Sequence, residues 1–364
     1  VTSRTSEPGA PFVLGHRPTL DGIRGVAVLS VLLYHARQLP FEGGFLGVNL
    51  FFVLSGFLIT ALLYEEWSKR GAISLKAFYV RRALRLIPAL LLFMGVTVAA
   101  SGFLEDARSF AQARTTALLT LGYVVNWFVT PEGPGHYALG HAWSLAIEEQ
   151  FYLAWPILLS CMLVRNWSRR SVAATLLLLI AASALVRAYY WSVDLIPTRA
   201  YYYTWSRLDG ILMGALAALI LSWRGRATVA PARIALLNLG GVLGGAFYLG
   251  TLWTVTAADP FLYYGGMFAQ NAGLALLLAS LAVSPWRATE RLFSAAPLVW
   301  AGKVSYGAYL WHLPVYWMAR RLGWNELSAH WVVTIPVTFL LAAASFYLLE
   351  RPLISRFKPR WVRV

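Results

Sequence analysis

The sequence predicts an all-α, polytopic membrane helix bundle of about ten transmembrane helices with both termini cytoplasmic. Three observations carry that prediction. Of its 364 residues 59% are hydrophobic and only 13% charged, with a mean hydropathy of +0.59; soluble domains carry about 25% charged residues. The apolar windows have helix length and do not alternate in short strands, which excludes an outer-membrane barrel. The basic residues are also one-sided: with ten spans, the segments 1–24, 65–85, 165–171, 224–233, 285–303 and 350–364 share one face and hold 23 of the 31 lysines and arginines.

In chain order, residues 1–18 are rich in Ser, Thr, Pro, Gly and Arg and lack periodicity, so a flexible cytoplasmic arm is expected. A transmembrane domain follows over 19–352, then a basic cytoplasmic tail at 353–364. The first span, 21–38, contains Arg24 and His35 and no small-residue cleavage site, so it reads as a retained helix and not a signal peptide. Further spans are expected at 44–64, 84–103, 143–164, 172–192, 206–223, 234–254, 263–284, 300–319 and 331–349. The apolar segment 115–130 is short. Counting it as a span flips every later loop and spoils the charge asymmetry. It is therefore expected to be re-entrant or buried within an outer loop over 105–141, which turns at Thr130-Pro131-Glu132-Gly133-Pro134-Gly135. No internal repeat is evident, and no soluble domain is expected at either end. Cys161 is alone, which excludes an intramolecular disulfide and a cysteine-based zinc cluster. The net charge of +15 is accounted for by cytoplasmic-loop arginines facing membrane lipid, so no nucleic-acid partner is expected.

Ionisable residues inside a bilayer cost several kcal/mol and need a partner or a task. His35 and Arg24 lie eleven residues apart on the first span, roughly 16 Å along a helix axis. His35 suits general-base work, or a structural hydrogen bond; Arg24 shares a face with Asp21, as an anchor or a ligand. The loop into the third span carries Arg81, Arg82 and Arg85, which suit a polyphosphate or anionic lipid headgroups. Glu148 and Glu149 enter the fourth span beyond its first turn, the most expensive event in the chain, and point to a functional cavity. Arg207 and Asp209 open the sixth span, where their charges can pair. His312 lies near mid-membrane in Ser305-Tyr306-Gly307-Ala308-Tyr309-Leu310-Trp311-His312, where a structural role and catalysis stay equally open. Glu350-Arg351-Pro352 reads as a stop signal. His35, His136, His141 and His312 are widely separated in the chain without a ligand spacing, so no metal site is expected. No GxSxG elbow occurs, and Cys161 reads as a lipid-facing or packing residue.

These residues resemble the bacterial acyltransferase-3 family of integral membrane O-acyltransferases. Four blocks carry the resemblance: Leu20-Asp21-Gly22-Ile23-Arg24-Gly25 running to His35; Gly47-Val48-Asn49-Leu50-Phe51-Phe52-Val53-Leu54-Ser55-Gly56-Phe57-Leu58-Ile59; Arg82-x-x-Arg85; and Trp143-Ser144-Leu145-Ala146-Ile147-Glu148-Glu149-Gln150-Phe151-Tyr152. The Ser305–His312 segment fits the same pattern, and coverage is nearly the whole chain. The resemblance implies transfer of an acyl group from cytoplasmic acyl-CoA to a hydroxyl of a sugar, glycolipid, envelope glycan or glycosylated metabolite, in the bacterial inner (cytoplasmic) membrane. It makes His35 the catalytic histidine, Arg24 its partner, Arg82 and Arg85 the donor-binding pair, and Glu148 and Glu149 the acidic pair beside the acceptor. Some members carry a fused SGNH hydrolase-like domain; none is expected here.

The residues and the resemblance give one expected mechanism. Arg82 and Arg85, with Arg24 and Arg81, hold the phosphates of acyl-CoA at the cytoplasmic face while the pantetheine arm carries the thioester toward His35. His35 deprotonates the acceptor hydroxyl, and an acyl-His35 intermediate stays open. Glu148 or Glu149 orients His35 or holds the acceptor. Asp21, Asn126, Trp143, Ser144 and Tyr152 are expected in acceptor or supporting roles, as are Arg207, Asp209, Tyr306 and His312. Trp127, Tyr137 and Trp143 are candidates for stacking on a sugar. Acyl-CoA is a co-substrate, and no bound cofactor is expected. The rival reading is a transporter or flippase for an anionic lipid-linked sugar, using the arginines for phosphate and the carboxylates as a proton relay. The absence of an inverted repeat and of paired broken helices speaks against it.

Overall fold

The computed structural model describes residues 14–36, 41–129, 135–194, 198–224, 230–324 and 330–357. Most of the expected terminal arm and tail, and the 130–134 turn, lie outside the described residues. Within them every regular element is helical and there is no β-strand. In chain order the helices are α1 (Pro18–His35), α2 (Gly47–Arg70), α3 (Leu75–Leu104), α4 (Ala107–Leu121), α5 (Ala142–Val164), α6 (Arg169–Val193), α7 (Thr198–Tyr202) and α8 (Leu208–Arg224). They continue as α9 (Pro231–Thr254), α10 (Met267–Val283), α11 (Arg287–Phe293), α12 (Ala296–Lys303), α13 (Ser305–Arg321), α14 (Ile335–Ala344) and α15 (Arg351–Phe357).

Seven helices among the described residues are long and apolar enough to cross a membrane: Glu42–Arg70, Leu75–Leu104, Ala142–Val164, Arg169–Val193, Pro231–Thr254, Leu262–Val283 and Val332–Arg356. The chain is a multi-pass membrane protein. The remaining three expected spans correspond to α1, α8 and α13, which have 18, 17 and 17 residues and fall outside that group.

Two expectations are corrected in detail. The arginine-rich stretch before Pro88 is not a loop but the first part of α3. Ser74 caps the helix by accepting from the Ala77 N–H at 3.3 Å, and Lys, Ala, Arg and Leu are strong helix formers. The span expected over 300–319 is two helices, α12 and α13, meeting at Val304. Within the doubtful 115–130 segment, 115–121 form the end of α4, a helix of 15 residues that packs on α3, and a tight turn at Val125–Trp127 follows. The helix is too short to span a hydrocarbon core, which needs about 20 residues.

The interior is built on α2, whose buried positions run all round its axis, with α1, α8 and α10 packed against it. Helices α3, α5, α6 and α9 turn leucines such as Leu91, Leu153, Leu178 and Leu243 outward. Lipid tails are as apolar as leucine, so close packing must replace hydrophobic exclusion in holding the helices together. Small residues supply it where α2 crosses α8: a Cβ on Gly56 would lie 1.8 Å from the Ile211 carbonyl oxygen, and one on Gly214 1.9 Å from that of Val53. Gly56→Ala is therefore expected to separate the two helices and cost about 1–3 kcal/mol, as overpacking does. Unfolding in detergent measures this, and a variant as stable as the parent would contradict the close contact.

Candidate functional site

A cavity of about 250 Å³ opens between α1, α2, α3, α5 and α13. Its charged end carries Arg24 from the start of α1, Arg82 and Arg85 from α3, and Glu148 and Glu149 from α5. The spacing of Arg82 and Arg85 puts both on one face of α3, and the Ser74 cap places them two and three turns into the helix. Ser55 Oγ donates to Glu148 Oε1 at 2.6 Å. The Arg82 guanidinium lies 3.8 Å above the Tyr152 ring, and its buried Nε has no hydrogen-bond partner. Arg24 is held by Asp21 at 2.8 Å. Among the described residues neither Glu148 nor Glu149 reaches an arginine within salt-bridge distance. Three guanidinium groups thus face a common space with their donors largely unspent. Arg81 turns away and meets Glu66 at 3.7 Å.

At its other end the cavity closes on Phe51, Ser144 and Tyr309. Tyr309 Oη lies 2.6 Å from Ser144 Oγ and donates to the His141 carbonyl at 3.1 Å. Behind Tyr309 three histidines that are far apart in the sequence come together. The His312 ring centroid is 4.9 Å from His35 and 4.8 Å from His141, while Tyr309 is 5.4 Å from His312 and 5.3 Å from His141. His35 is not among the residues lining the cavity; Tyr309 and His312 stand between. His35 Nδ1 faces the Val31 carbonyl at 3.0 Å and His312 Nδ1 the Tyr309 carbonyl at 2.6 Å. A carbonyl only accepts, so Nδ1 carries the proton in both rings and Nε2 is left as the basic nitrogen. No group of three or more metal-ligand side chains converges as a metal site among the described residues.

A cationic mouth, an apolar passage and three clustered imidazoles suit the activation of a hydroxyl next to an anionic donor. The family model for the acyltransferase domain of the acyltransferase-3 type matches residues 17–349. The chain belongs to this family. It is 33% identical over 350 residues to the peptidoglycan O-acetyltransferase OatA of Listeria monocytogenes, covering 92% of this chain and 55% of that protein. It is 31% identical over 347 residues to the O-acetyltransferase OatA of Staphylococcus aureus, covering 92% of this chain and 57% of that one. The chain thus spans about half the length of these curated relatives. No solved structure matches it.

Several of the other candidate residues are tied into the surrounding helices. Arg207 does not pair with Asp209. Its Nη2 donates to Asn49 Oδ1 at 2.5 Å, and its guanidinium sits 4.8 Å from the Tyr201 ring, between Phe52 and Trp143. Asn49 passes the chain on to Gln270 at 2.6 Å, and Gln270 to Thr251 at 2.7 Å. Asp209 pairs with Arg187 at 2.8 Å, both 1% exposed, and accepts from Asn271 at 3.1 Å. Asn126 bonds Gln150 and Thr204 at 2.9 Å each, fixing the turn after α4 to α5 and to the turn before α8. Tyr306 lines the cavity and donates to the Leu86 carbonyl at 2.9 Å. The Trp143 ring faces are occupied by Tyr201, Tyr202 and Phe52, whereas Trp127 and Tyr137 are exposed.

Sequence reasoning did not assign Ser55, His141, Arg187 or Tyr309. Ser55, His141 and Tyr309 stood inside or beside quoted motifs. Arg187, a lone arginine in the sixth helix, was itself a signal, since an intramembrane charge needs a partner. Also unassigned was Glu105, at the end of α3 outside the spans. It accepts from His136 Nε2 at 2.7 Å, from Trp317 Nε1 at 3.1 Å and from Ser101 Oγ. Burial alone would raise its pKa, but the hydrogen bonds from Ser101 and His136 outweigh it and hold the carboxyl below the usual range.

Removing one partner of a buried ion pair leaves an uncompensated charge. Asp209→Ala is therefore expected to cost about 3–5 kcal/mol, and the double replacement Arg187→Leu with Asp209→Leu to recover much of it in detergent unfolding. Glu105 has a depressed folded pKa, so its contribution is full above its unfolded value of about 4.3 and drains away as pH falls through the lower folded value. The melting temperatures of the parent and Glu105→Gln should accordingly differ at pH 7 and converge below pH 4. A constant difference across that range would refute the ionised tie.

Proposed function

We propose that this chain is a membrane O-acyltransferase of the bacterial inner membrane, moving a short acyl group from cytoplasmic acyl-CoA to a hydroxyl of an envelope glycan. The activities named for the two relatives support the O-acetyl class and, from the Listeria protein, a peptidoglycan-type acceptor. The observation that carries the reading is the cavity, with Arg24, Arg82 and Arg85 at one end and Tyr309, backed by the histidines, at the other.

On this reading the end bearing the arginines faces the cytoplasm, consistent with the one-sided distribution of basic residues. Ligand cavities commonly run about 300–1,000 Å³, so some 250 Å³ admits a narrow arm and not a whole nucleotide. The phosphates of the donor stay at the mouth, where guanidinium forks bind phosphate oxygens bidentately. The uncharged pantetheine arm threads inward past Phe51, Leu86 and Leu90. The roughly 16 Å between Arg24 and His35 matches its extended length. Ser144 and Tyr309 hydroxyls meet the thioester, and His35, through its free Nε2, takes the proton of the attacking hydroxyl. Glu148, bonded to Ser55, and Glu149 line the same end of the cavity as the arginines, so on this reading both carboxyl groups stand on the donor side and not beside His35.

Purified protein in proteoliposomes, given labelled acetyl-CoA and peptidoglycan fragments, tests this. His35→Ala is expected to lower transfer about 10²–10⁴-fold, the usual contribution of a general base. Arg82→Ala and Arg85→Ala are each expected to raise the KM for acetyl-CoA tenfold or more, since a charge-assisted hydrogen bond contributes about 1.5–3 kcal/mol. Normal transfer by His35→Ala would sink the base, and an unchanged donor KM in both arginine variants would sink the donor site.

A further inference from the structure

The proposed reaction uses one imidazole of the three, and the other two are costly where they stand. His312 is fully buried and its Nε2 has no hydrogen-bond partner; His141 is 5% exposed and neither of its ring nitrogens has one. Orphaned polar atoms inside a membrane protein cost free energy comparable to a lost hydrogen bond unless something transient occupies them. The transient species with the right size is a proton, carried alone or on a single water.

Resting on the acyl-transfer reading above, we propose that His312 is the proton-relay partner of His35, receiving the proton that His35 removes from the acceptor and returning it toward the cavity. Three features support this role. His35 and His312 are tethered alike, each donating Nδ1–H to a carbonyl one helical turn earlier, so each offers Nε2 as its only basic nitrogen. Their ring centroids are 4.9 Å apart with no direct hydrogen bond to His312 Nε2, a gap that one water can bridge. And His312 lies between His35 and Tyr309, which itself lines the cavity where the thiol departs.

Among the described residues the only other group of comparable basicity facing the pair is a third imidazole, His141. The groups facing the pair are Tyr34 from α1, Tyr309 and Tyr316 from α13, and His141 from the start of α5. From α3, Phe93 packs on His141. Among the described residues no carboxylate, lysine or guanidinium is hydrogen-bonded to any of the three rings.

The step balances. The acceptor O–H bond breaks and its proton goes to His35 Nε2, while the oxygen forms a bond to the thioester carbonyl carbon. The C–S bond breaks and its electron pair leaves on sulfur. The proton on His35 moves to His312 Nε2 and on, by way of the Tyr309 and Ser144 hydroxyls, to sulfur. Ester and free thiol result, with both imidazoles neutral again. His312 acts through His35 and is a positioning and relay residue, not one that touches the substrate.

The test uses the full chain in nanodiscs, with His312→Gln and His312→Asn, acetyl-CoA as donor and a chitooligosaccharide as acceptor. Both variants are expected to lose about 10²–10³-fold in kcat with an unchanged KM for acetyl-CoA. The solvent deuterium isotope effect should simplify from a two-proton to a one-proton inventory, and added imidazole should restore part of the rate. In parallel, ¹⁵N-histidine spectra of the substrate-free wild type should show His35 and His312 sharing a single added proton on acidification. A near-normal kcat in either variant, or two rings that each take up their own proton, would overturn the relay. Variants that fail to fold leave the wild-type spectra to decide. If wild type transfers nothing from acetyl-CoA yet the rings share their proton, the donor reading has failed and the coupled pair is upheld.

Discussion

A guanidinium inside a hydrocarbon layer has to be met by protein, and that requirement organises this molecule. Arg187 and Arg207 are both buried, and together they draw Asp209, Asn49, Asn271 and Gln270 into contact. Those residues sit on α2, α6, α8 and α10, so satisfying two cations fixes the mutual register of four helices. No water waits in lipid to take over a broken bond, so the arrangement tolerates little sliding. The glycine contacts between α2 and α8 serve the same end by bringing backbones close where lipid supplies no hydrophobic drive.

On that rigid half the helices α1, α3, α5 and α13 carry the cavity and the histidines, and they divide the chemistry by depth. Unspent guanidinium donors gather at one end, while at the other a tyrosine bonded to Ser144 closes the passage. Beyond the tyrosine lie imidazoles to which, among the described residues, no charged side chain is hydrogen-bonded. Under the proposed function an anionic donor and a hydroxyl acceptor would approach from opposite directions and meet where the tyrosine closes the passage. Reactive carbonyls gain from such separation, because excluded water cannot compete as a nucleophile.

The ends of this division were legible in the sequence. Arg24, Arg82, Arg85, Glu148 and His35 each announced themselves as costs in apolar stretches, and helical spacing alone paired Arg82 with Arg85. The middle was not legible. Ser144 was expected in a supporting role, but Tyr309 is an ordinary residue until its hydroxyl meets that of Ser144 across 165 positions. His141 looked like a residue just outside a span, and His312 like a second, separate histidine. The carboxylates were expected beside His35 or the acceptor, and only the packing of α2 on α5, through Ser55, puts them in one cavity with the arginines.

The sequence by itself determined that the chain is a helical membrane protein, where most helices lie and which motif family it carries, because composition and helical period are local properties of the chain. The tertiary structure decided which charges share a partner: Asp209 went to Arg187 and not to the nearer Arg207 in sequence. It also decided that three scattered histidines form one cluster and that His35 stands behind Tyr309 instead of lining the cavity. Contacts between helices depend on rotation and crossing, which no spacing within a single helix encodes.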